Sequence, residues 1–337
     1  MIDRATAAPK QDPRDAWIGR SREAQYVRDF ATRAAVVAAP VLITGESGTG
    51  KGLIARIVHA LSPRTRAPLV VVNCAGVPDS LFESEFFGHV RGAFTGAQQS
   101  HRGLLEQANG GTLFLDEIGE LAHALQAKLL AVLEDGELRR VGGERSLRVD
   151  ARIIAATNLD LGRAVADGRF RRDLFHRLLV LAIRLPPVRD RGDDVDLLLE
   201  HFLAHFASRH GRPARGFEEA AHDRLRAHPW PGNVRQLAHA VEGAVLLADG
   251  PLIGVRHLPC LLLDIGADAT PDRTDPSYPP MARYSFYGTA AEERVHIEEA
   301  LRRWHGNKTH AARELGMARN TLRAKVRELG VADPASR

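Results

Sequence analysis

The segment from Val41 to Gly52, which reads VLITGESGTGKG, constrains the fold of this chain more than any other. Four apolar or β-branched residues run directly into a glycine-rich turn, and apolar residues at helical spacing follow. Glycines let the backbone approach a ligand closely, and the free N–H groups of such a loop and of the next helix favour an anion. This succession of strand, loop and helix predicts a binding site for a nucleoside triphosphate.

The loop supplies most of the predicted nucleotide-binding residues. Lys51 carries a charge that can reach the β- and γ-phosphates, whereas Gly52 stands where a Ser or Thr usually offers a hydroxyl to Mg²⁺. We therefore expect another residue to hold the metal. The predicted binding residues of the loop are Gly45, Glu46, Ser47, Gly48, Thr49, Gly50, Lys51 and Gly52.

Composition limits the class of protein. A chain of 337 residues with 44% hydrophobic residues is expected to be globular, with two or three domains. Two cysteines are too few for a disulfide framework or a zinc cluster. No run approaches the roughly 20 apolar residues of a membrane span, and the N-terminus lacks a secretory signal. We therefore expect a cytoplasmic protein that does not contact membranes.

The order of patterns predicts the domain organisation. Buried β-like segments alternate with helical ones up to residue 186, which is typical of an α/β fold with a parallel sheet covered by helices on both faces. The predicted strands are Val41–Thr44, Leu69–Asn73, Thr112–Leu115, Arg152–Thr157 and Leu179–Leu185. The predicted helices are Arg22–Ala38, Val195–Arg209, Glu218–Ala227 and Val234–Leu247, with helical pattern again from about Ala290. We expect a disordered tail (1–16), an α/β ATPase subdomain (17–186), an α-helical lid (187–260), a linker (261–289) and a C-terminal helical domain (290–337).

Polar residues end several of the predicted strands. Ligands of such sheets bind at the carboxyl ends of strands, so Asp116 is suited to hold Mg²⁺, directly or through water. Glu117 is placed to orient or deprotonate the attacking water. Thr157 and Asn158 end another strand and could hydrogen-bond the γ-phosphate or that water. Asn73 is a third polar strand end.

Two arginines, Arg171 and Arg177, lie six residues apart beside apolar positions. An arginine offered to a γ-phosphate can be worth ~10³–10⁵ in rate. The spacing alone favours salt bridges instead.

The C-terminal region is strongly basic. From Arg302 to Arg327 there are eight Lys or Arg residues against one acid, Glu314, a local net charge of +7. Glycines divide the region into three helical pieces, and Ala311, Ala312 and Leu315 would face Leu322, Val326 and Leu329. This pattern predicts a helix-turn-helix that binds double-stranded DNA, as a dimer. The predicted DNA-binding residues are Lys308, Thr309, Arg319, Asn320, Thr321, Arg323, Lys325 and Arg327.

Residues 92–97 read GAFTGA, a mobile segment that could present an aromatic ring and a hydroxyl. This hexapeptide resembles the signature of bacterial enhancer-binding proteins, the AAA+ activators of sigma-54 RNA polymerase. The resemblance runs from about Trp17 to Leu258 and recurs at Lys51, Asp116-Glu117, 139–143 and 230–237. The C-terminal piece resembles the Fis-type helix-turn-helix that ends most members.

The resemblance implies an AAA+ P-loop ATPase that uses ATP and Mg²⁺ and assembles as a homo-oligomer, with a hexamer expected. Such a ring binds upstream enhancer DNA and remodels the closed complex of sigma-54 RNA polymerase to the open complex. The implied sigma-54 contacts are Gly92, Ala93, Phe94, Thr95, Gly96 and Ala97.

The resemblance also implies roles for residues of the site. Asn73 would be a switch residue paired with Glu117, and Arg235 a sensor that touches nucleotide in cis. Thr157 and Asn158 match another sensor, and Arg171 and Arg177 match arginines that a neighbouring subunit inserts into the site. The departures are Gly52 and Arg172, where members commonly have Glu, and Leu179, where they commonly have Asn.

Two alternatives remain: an ATP-binding, DNA-binding regulator that acts independently of sigma-54, and an AAA+ remodeller of another protein. The intact GAFTGA segment and the complete catalytic set favour the sigma-54 activator. Most relatives carry an N-terminal sensor domain, whereas about 16 residues precede Trp17 here. We therefore expect regulation by expression level or by an anti-activator or co-activator in trans.

Overall fold

A computed structural model describes residues 12–76, 78–259 and 290–304, together with Ala311, Leu322 and Val326. The predicted linker at 261–289 and residues 1–11 of the predicted tail lie outside this range. Within that predicted tail, Pro13–Ala16 form a short 3-10 helix, because the Asp12 carboxylate accepts the N–H of Arg14 at its start. Contacts divide the chain into two compact units, Met1–Ile265 and Gly266–Arg337.

The first unit alternates strands and helices before it becomes mainly helical. Its strands are β1 (Val41–Thr44), β2 (Leu69–Asn73), β3 (Gly88–His89), β4 (His101–Arg102), β5 (Thr112–Asp116), β6 (Glu137–Arg139), β7 (Ser146–Arg148), β8 (Arg152–Thr157), β9 (Leu181–Arg184), β10 (Gly216–Phe217) and β11 (Leu252–Ile253). Its helices are α1 (Arg22–Ala35), α2 (Lys51–Ala60), α3 (Asp79–Phe87), α4 (Leu104–Gln107), α5 (His123–Asp135), α6 (Leu161–Ala166), α7 (Arg172–Leu178), α8 (Asp194–His210), α9 (Glu219–Ala227) and α10 (Asn233–Leu247).

Five strands form one parallel sheet in the order β2-β5-β8-β1-β9. The predicted parallel sheet is thus confirmed, with β5 one residue longer than expected and β9 shorter. Because all five strands run the same way, their carboxyl ends lie along one edge. β8 lies between β1 and β5, so the end of β8 separates the glycine-rich loop from the acidic pair that follows β5.

Alternate residues of the strands cover the two faces of this sheet. Ile43, Phe114 and Ile154 pack with α1 and α2 in one buried cluster. Leu42 and Leu115 pack in a second cluster with side chains from α3 to α7. Both faces of the sheet are therefore buried, which explains the near-continuous apolar strands of the sequence.

Helix α1 ends at Ala35, three residues earlier than the sequence pattern predicts. The buried guanidinium of Arg152 donates to the carbonyls of Ala34 (2.5 Å) and Ala35 (2.7 Å), which satisfies backbone acceptors at the end of the helix. The chain must then extend into Pro40 and β1, and proline disfavours helix at the residue before it.

The lid has its own core. Helices α8 and α10 pack against each other around Trp230, Leu199, Leu237 and Val241, all of which are buried. The three predicted lid helices are confirmed, each within one residue at either end.

Two short antiparallel hairpins, β3–β4 and β6–β7, were not expected from the sequence. Their strands have only two or three residues, too few for an alternating pattern to be recognised. Hydrogen bonds join them, because the N–H of Val141 donates to Gly88 and the N–H of Val90 donates to Val141.

The second unit is described only in part. Helix α11 (Ala290–Arg303) places Ile297, Ala300 and Leu301 in one buried cluster with Ala311, Leu322 and Val326. The predicted contribution of Ala311, Leu322 and Val326 to a core is confirmed. The eight predicted DNA-binding residues lie outside the described residues.

None of the helices in the described parts of the chain combines the length and the apolarity that crossing a membrane requires.

Candidate active site

The glycine-rich loop between β1 and α2 is compact, and its lysine is directed inward. The Lys51 side chain is 6% exposed, and its Nζ donates to the carbonyl oxygens of Gly45 (3.0 Å) and Glu46 (3.4 Å). The buried Thr49 hydroxyl also donates to the Glu46 carbonyl, at 2.8 Å. The Gly45 N–H donates to the carbonyl of Thr157, which ties the loop to the end of β8. The loop is therefore fixed from inside by its own side chains.

The acidic pair lies across the end of β8 from this loop. Asp116 ends β5, and Glu117 follows in the left-handed backbone region, with φ +52°. Glu117 Oε1 lies 3.4 Å from Lys51 Nζ, and Oε2 accepts the N–H of Asn158 at 3.0 Å. The fold thus brings Lys51, Asp116, Glu117 and Asn158 together. In the sequence, Lys51 lies 65 positions before Asp116, and Glu117 lies 41 positions before Asn158.

Burial and the charge of Glu117 shift the pKa of Asp116 in the same direction, and two nearby cations oppose them. Its partial burial raises the pKa of the carboxyl, and the neighbouring charge of Glu117 raises it further, while Lys51 and Arg235 lower it. The net shift is upward, so this carboxylate lacks enough positive charge around it. A divalent cation would supply that charge, and carboxylate oxygen is a preferred ligand of Mg²⁺.

Asn73 and Thr157 also lie at this edge of the sheet. Asn73 is the register partner of Asp116 on the neighbouring strand. Its side-chain oxygen accepts the N–H of Ala75 at 2.9 Å, and among the described residues the Glu117 carboxylate contacts Lys51 and Asn158 rather than Asn73. The Thr157 hydroxyl is fully buried and accepts the N–H of Leu159.

The lid supplies further residues to the loop. Arg235, in the first turn of α10, donates from Nη1 to the Ser47 hydroxyl at 3.2 Å. Arg189 pairs with the Glu46 carboxylate through both of its terminal nitrogens. Asn233 donates from Nδ2 to Glu46 Oε2 (3.1 Å) and to the Ser47 carbonyl (3.0 Å). The hydrogen bonds from Arg189 and then Asn233 lower the pKa of Glu46 to about 2.

Sequence reasoning identified Arg235 but missed Arg189 and Asn233. The available signal was the Asn that follows Pro-Gly at the start of a helix, because Asn tolerates left-handed backbone and often ends a turn. Nothing in the local pattern indicated its partners in the phosphate loop, which lie almost 190 residues earlier.

Gly48 is required by the close approach of the lid. Its φ is +79°, and a Cβ atom there would lie 2.2 Å from the carbonyl oxygen of Gly232. The position of Gly52 differs, because a Cβ atom there would meet only Phe114, at 3.7 Å. The departure at Gly52 is therefore not imposed by lack of space.

The two candidate arginines lie on another part of the unit. Arg171 precedes α7 and pairs with Asp173 at 2.7 Å, while Arg177 donates to the carbonyl of Leu133 at 2.8 Å. Neither of these partners belongs to the glycine-rich loop. The structure therefore does not place Arg171 or Arg177 in the site of their own chain.

The GAFTGA segment lies between β3 and β4 and is mostly exposed. Phe94 is 47% exposed, and its ring contacts the ring of His89 edge-on, with centroids 5.0 Å apart. Thr95 is exposed, whereas Ala97 is buried, and the Gly92 N–H donates to the Ala97 carbonyl at 2.9 Å. A closed turn thus presents an aromatic ring and a hydroxyl at its tip.

Comparison with known families gives three matches along the chain. The Sigma-54 interaction domain matches residues 17–184, the AAA+ ATPase lid domain matches residues 189–274, and the bacterial regulatory protein, Fis family, matches residues 289–329.

Similar proteins include characterised regulators. The chain is 47% identical to the regulatory protein AtoC of Escherichia coli (strain K12) over 297 residues, which cover 88% of this chain and 64% of AtoC. It is 44% identical to the transcriptional regulatory protein ZraR of Salmonella typhimurium over 314 residues, which cover 92% of this chain and 68% of ZraR. The chain therefore spans about two thirds of the length of these relatives.

A crystal structure of NtrX from Brucella abortus in complex with ATP resembles this structure with a TM-score of 0.70 and 35% sequence identity, covering 93% of this chain and 69% of NtrX. The AAA+ sheet and lid, the exposed GAFTGA segment and these matches agree. The chain belongs to the sigma-54-dependent AAA+ enhancer-binding proteins, with a Fis-type helix-turn-helix.

Proposed function

We propose that this chain hydrolyses ATP and uses the energy to activate transcription by sigma-54 RNA polymerase. One observation carries the proposal. A compact loop with an inward-directed lysine faces an acidic pair, on the same unit that presents an intact and exposed GAFTGA turn. The helix-turn-helix would bind upstream enhancer DNA, through the eight predicted residues, and localise the ATPase near a promoter.

ATP and Mg²⁺ fit the residues at this site. The glycine-rich loop and Lys51 would bind the phosphates, and Arg235 would leave Ser47 to contact them as well. Asp116 would hold Mg²⁺, directly or through water, since Gly52 offers no hydroxyl and the carboxyl needs a cation. The ion would neutralise charge that develops on the phosphates during transfer.

Glu117 would orient and deprotonate the attacking water. Its contact with Lys51 would hold the carboxylate close to the bound phosphates, and the Asn158 N–H fixes its direction. Asn73 would exchange its bond with the Ala75 N–H for one with Glu117 when nucleotide is bound, which would transmit the nucleotide state along β2 toward α3 and the GAFTGA turn. Thr157 would position Asn158 at the γ-phosphate.

We propose a homo-oligomeric ring, with a hexamer expected. Since Arg171 and Arg177 lie away from the site of their own chain, each would complete the site of a neighbouring protomer. The domain boundaries predicted from the sequence belong to this proposal, as does an anti-activator or co-activator in trans.

The first experiment separates hydrolysis from contact with sigma-54. Thr95→Ala should retain ATP turnover and lose open-complex formation with sigma-54 polymerase, because Thr95 is exposed at the tip of the turn and is not a residue of the phosphate loop. Open complexes formed at the normal level would contradict the proposed contact between the GAFTGA turn and sigma-54.

The second experiment tests the catalytic carboxylate. Glu117→Gln keeps the size of the side chain and its bond to the Asn158 N–H, but it removes the base. It should bind ATP and reduce turnover by at least ~100-fold. Normal turnover would overturn the role of Glu117.

A further inference from the structure

The first residue of α10, Asn233, is buried completely, and its side chain makes hydrogen bonds to two other segments of the chain. Its Nδ2 donates to Glu46 Oε2 and to the Ser47 carbonyl, and its Oδ1 accepts the N–H of Val188 at 2.9 Å. Both amide hydrogens and the amide oxygen are therefore used. Reversing the amide would place oxygen against two acceptors, so the orientation is fixed by the surroundings.

The backbone at Asn233 narrows the choice of residue further. Its φ is +52°, in the left-handed region that glycine, asparagine and aspartate adopt most easily. Glycine has no side chain, and an ionised aspartate cannot donate. Asparagine alone among the three supplies a donor and an acceptor from this backbone conformation.

The contact with Ser47 determines how the next peptide is directed. The C=O and N–H of a trans peptide point in opposite directions. Because the Ser47 carbonyl faces Asn233 in the lid, the N–H of Gly48 faces away from it. That N–H has no protein acceptor in the described residues, so it is available to a phosphate oxygen.

The hydrogen bond from Asn233 holds the negative charge of Glu46 away from the proposed phosphate site. This carboxylate belongs to a loop that binds a polyanion, and a free carboxylate there would repel phosphate. Arg189 and Asn233 both hold it on the lid side of the loop. The same two residues also join the loop to the start of the lid, because Asn233 binds the Val188 N–H next to Arg189.

We propose that Asn233 is a positioning residue for the nucleotide site: it presents the Gly48 N–H to phosphate, keeps Glu46 away from it and thereby couples the position of the lid to the conformation of the loop. This inference rests on the proposed ATP site. It concerns a residue that acts through the loop and does not itself contact ATP.

Asn233→Asp tests the donor specifically. The variant keeps the size of the side chain, the tolerance for left-handed backbone and the acceptor for Val188, but it loses the donor to Ser47 and adds a second carboxylate beside Glu46. We expect the KM for ATP and the Kd for ATP to rise at least tenfold, and kcat at saturating ATP to fall less than threefold. Loss of folded protein would instead lower the apparent kcat and leave KM unchanged.

A double variant tests whether Asn233 and Glu46 act together on the affinity for ATP. Combining Asn233→Asp with Glu46→Gln restores one hydrogen bond with donor and acceptor exchanged, and it removes the repulsion between carboxylates. The double variant should bind ATP at least about threefold more tightly than the sum of the two single effects predicts, although it does not regain the donor to the Ser47 carbonyl. If the two effects on Kd are simply additive, the two residues are not coupled and the inference fails.

The matched control is Gln236→Glu. It adds the same charge on α10, three residues after Asn233, and keeps the acceptor for the Gly232 N–H. Among the described residues, Gln236 makes no hydrogen bond to the phosphate loop. Its KM should stay within twofold of the wild type. An equal rise in KM for this variant would assign the effect to charge alone and overturn the inference.

A second variant and ATP binding by the wild type separate failure of the positioning role from failure of the proposed function. If Asn233→Asp does not fold, Asn233→Gly retains the backbone and removes the side chain, and it should raise KM in the same way without rescue by Glu46→Gln. Failure of the wild-type protein to bind ATP would contradict the proposed function itself. ATP binding by the wild type and an unchanged KM in Asn233→Gly would contradict only the positioning role.

Discussion

Two glycine-rich loops of the same unit differ in how they are held. The phosphate loop, residues 45–52, is packed against the lid, and Thr49 and Lys51 within it are 1% and 6% exposed. The GAFTGA turn, residues 92–97, has Phe94 at 47% exposure, and Cβ atoms on Gly92 or Gly96 would meet no atom within 4 Å. Glycine content therefore does not distinguish a rigid loop from a projecting one. Contacts from distant segments of the chain determine whether such a loop is packed or exposed.

The largest effect should follow from breaking the buried support of the lid. Asp194 is 2% exposed and accepts the N–H groups of Arg20 and Ser21, the Ser21 hydroxyl and the guanidinium of Arg191. Asp194→Ala would leave the buried Arg191 charge without its carboxylate partner. The free energy of unfolding should fall by about 3–5 kcal/mol, measured by chemical denaturation.

An exposed pair gives the matched control. Asp167 and Arg169 are 56% and 61% exposed, so Asp167→Ala should change the free energy of unfolding by less than about 1 kcal/mol. Equal losses in the two variants would show that burial does not determine the cost.

The two loops can be compared directly with one substitution in each. Gly48 and Gly92 have nearly the same φ, +79° and +83°, so alanine should strain the backbone by about 1–2 kcal/mol at both. Only at Gly48 would the new Cβ also collide with the lid, 2.2 Å from the Gly232 oxygen. Gly48→Ala should weaken ATP binding at least tenfold, and Gly92→Ala should leave it unchanged, as measured by nucleotide titration.

A smaller effect with opposite sign is expected at Asp116. Burial and then the Glu117 charge raise the pKa of this carboxyl, so its ionised form destabilises the folded protein. As pH rises from the ordinary pKa through the raised one, the free energy of unfolding falls, and the loss persists above it. Asp116→Asn should therefore be more stable than the wild type at neutral pH, and the gain should vanish below the ordinary pKa of 3.8.

Thermal unfolding at several pH values without nucleotide would measure this difference. The same variant should lose most ATP turnover, because the proposed metal ligand is removed. A stability gain that did not change with pH would show that the charge of Asp116 is not its cause.

The smallest effect is expected at Gly52, in the first turn of α2. Glycine costs a helix about 0.5–1 kcal/mol relative to alanine, and the new Cβ would lie at an ordinary 3.7 Å from Phe114. Gly52→Ala should raise the free energy of unfolding by that amount in a denaturation experiment. Gly119→Ala is the contrasting variant, because its Cβ would lie 2.9 Å from the Thr157 hydroxyl and should destabilise.

Much of the α/β fold could be predicted because its signals are local. Both faces of the sheet are buried, so the apolar runs that became β1, β2 and β8 are bounded by polar residues at the ends observed in the structure. Asp116 and Glu117 were found for a related reason, since they end and directly follow β5. Lys51 was found because it closes the glycine-rich loop that follows β1. Their mutual contact could be expected from strand direction alone.

The remaining features depend on contacts that no local pattern records. Asn233 begins α10, and two of its partners are in the phosphate loop, almost 190 residues away. The hairpins that support the GAFTGA turn have strands of two or three residues. Asn73 was correctly placed at a strand end. The sequence does not specify whether its side chain bonds to the Ala75 N–H, as in the structure, or to Glu117.

The strand order sets the spacing between the two groups of residues at the candidate active site. Neighbouring strands lie about 4.8 Å apart, and one strand intervenes between the lysine-bearing loop and the acidic pair. The topology therefore separates the ends of β1 and β5 by about 10 Å, and the side chains of Lys51 and Glu117 span this interval to lie 3.4 Å apart. Substitutions at the ends of these strands can change which groups contact a ligand. The spacing between β1 and β5 would stay the same, because it is set by the order of the strands in the sheet.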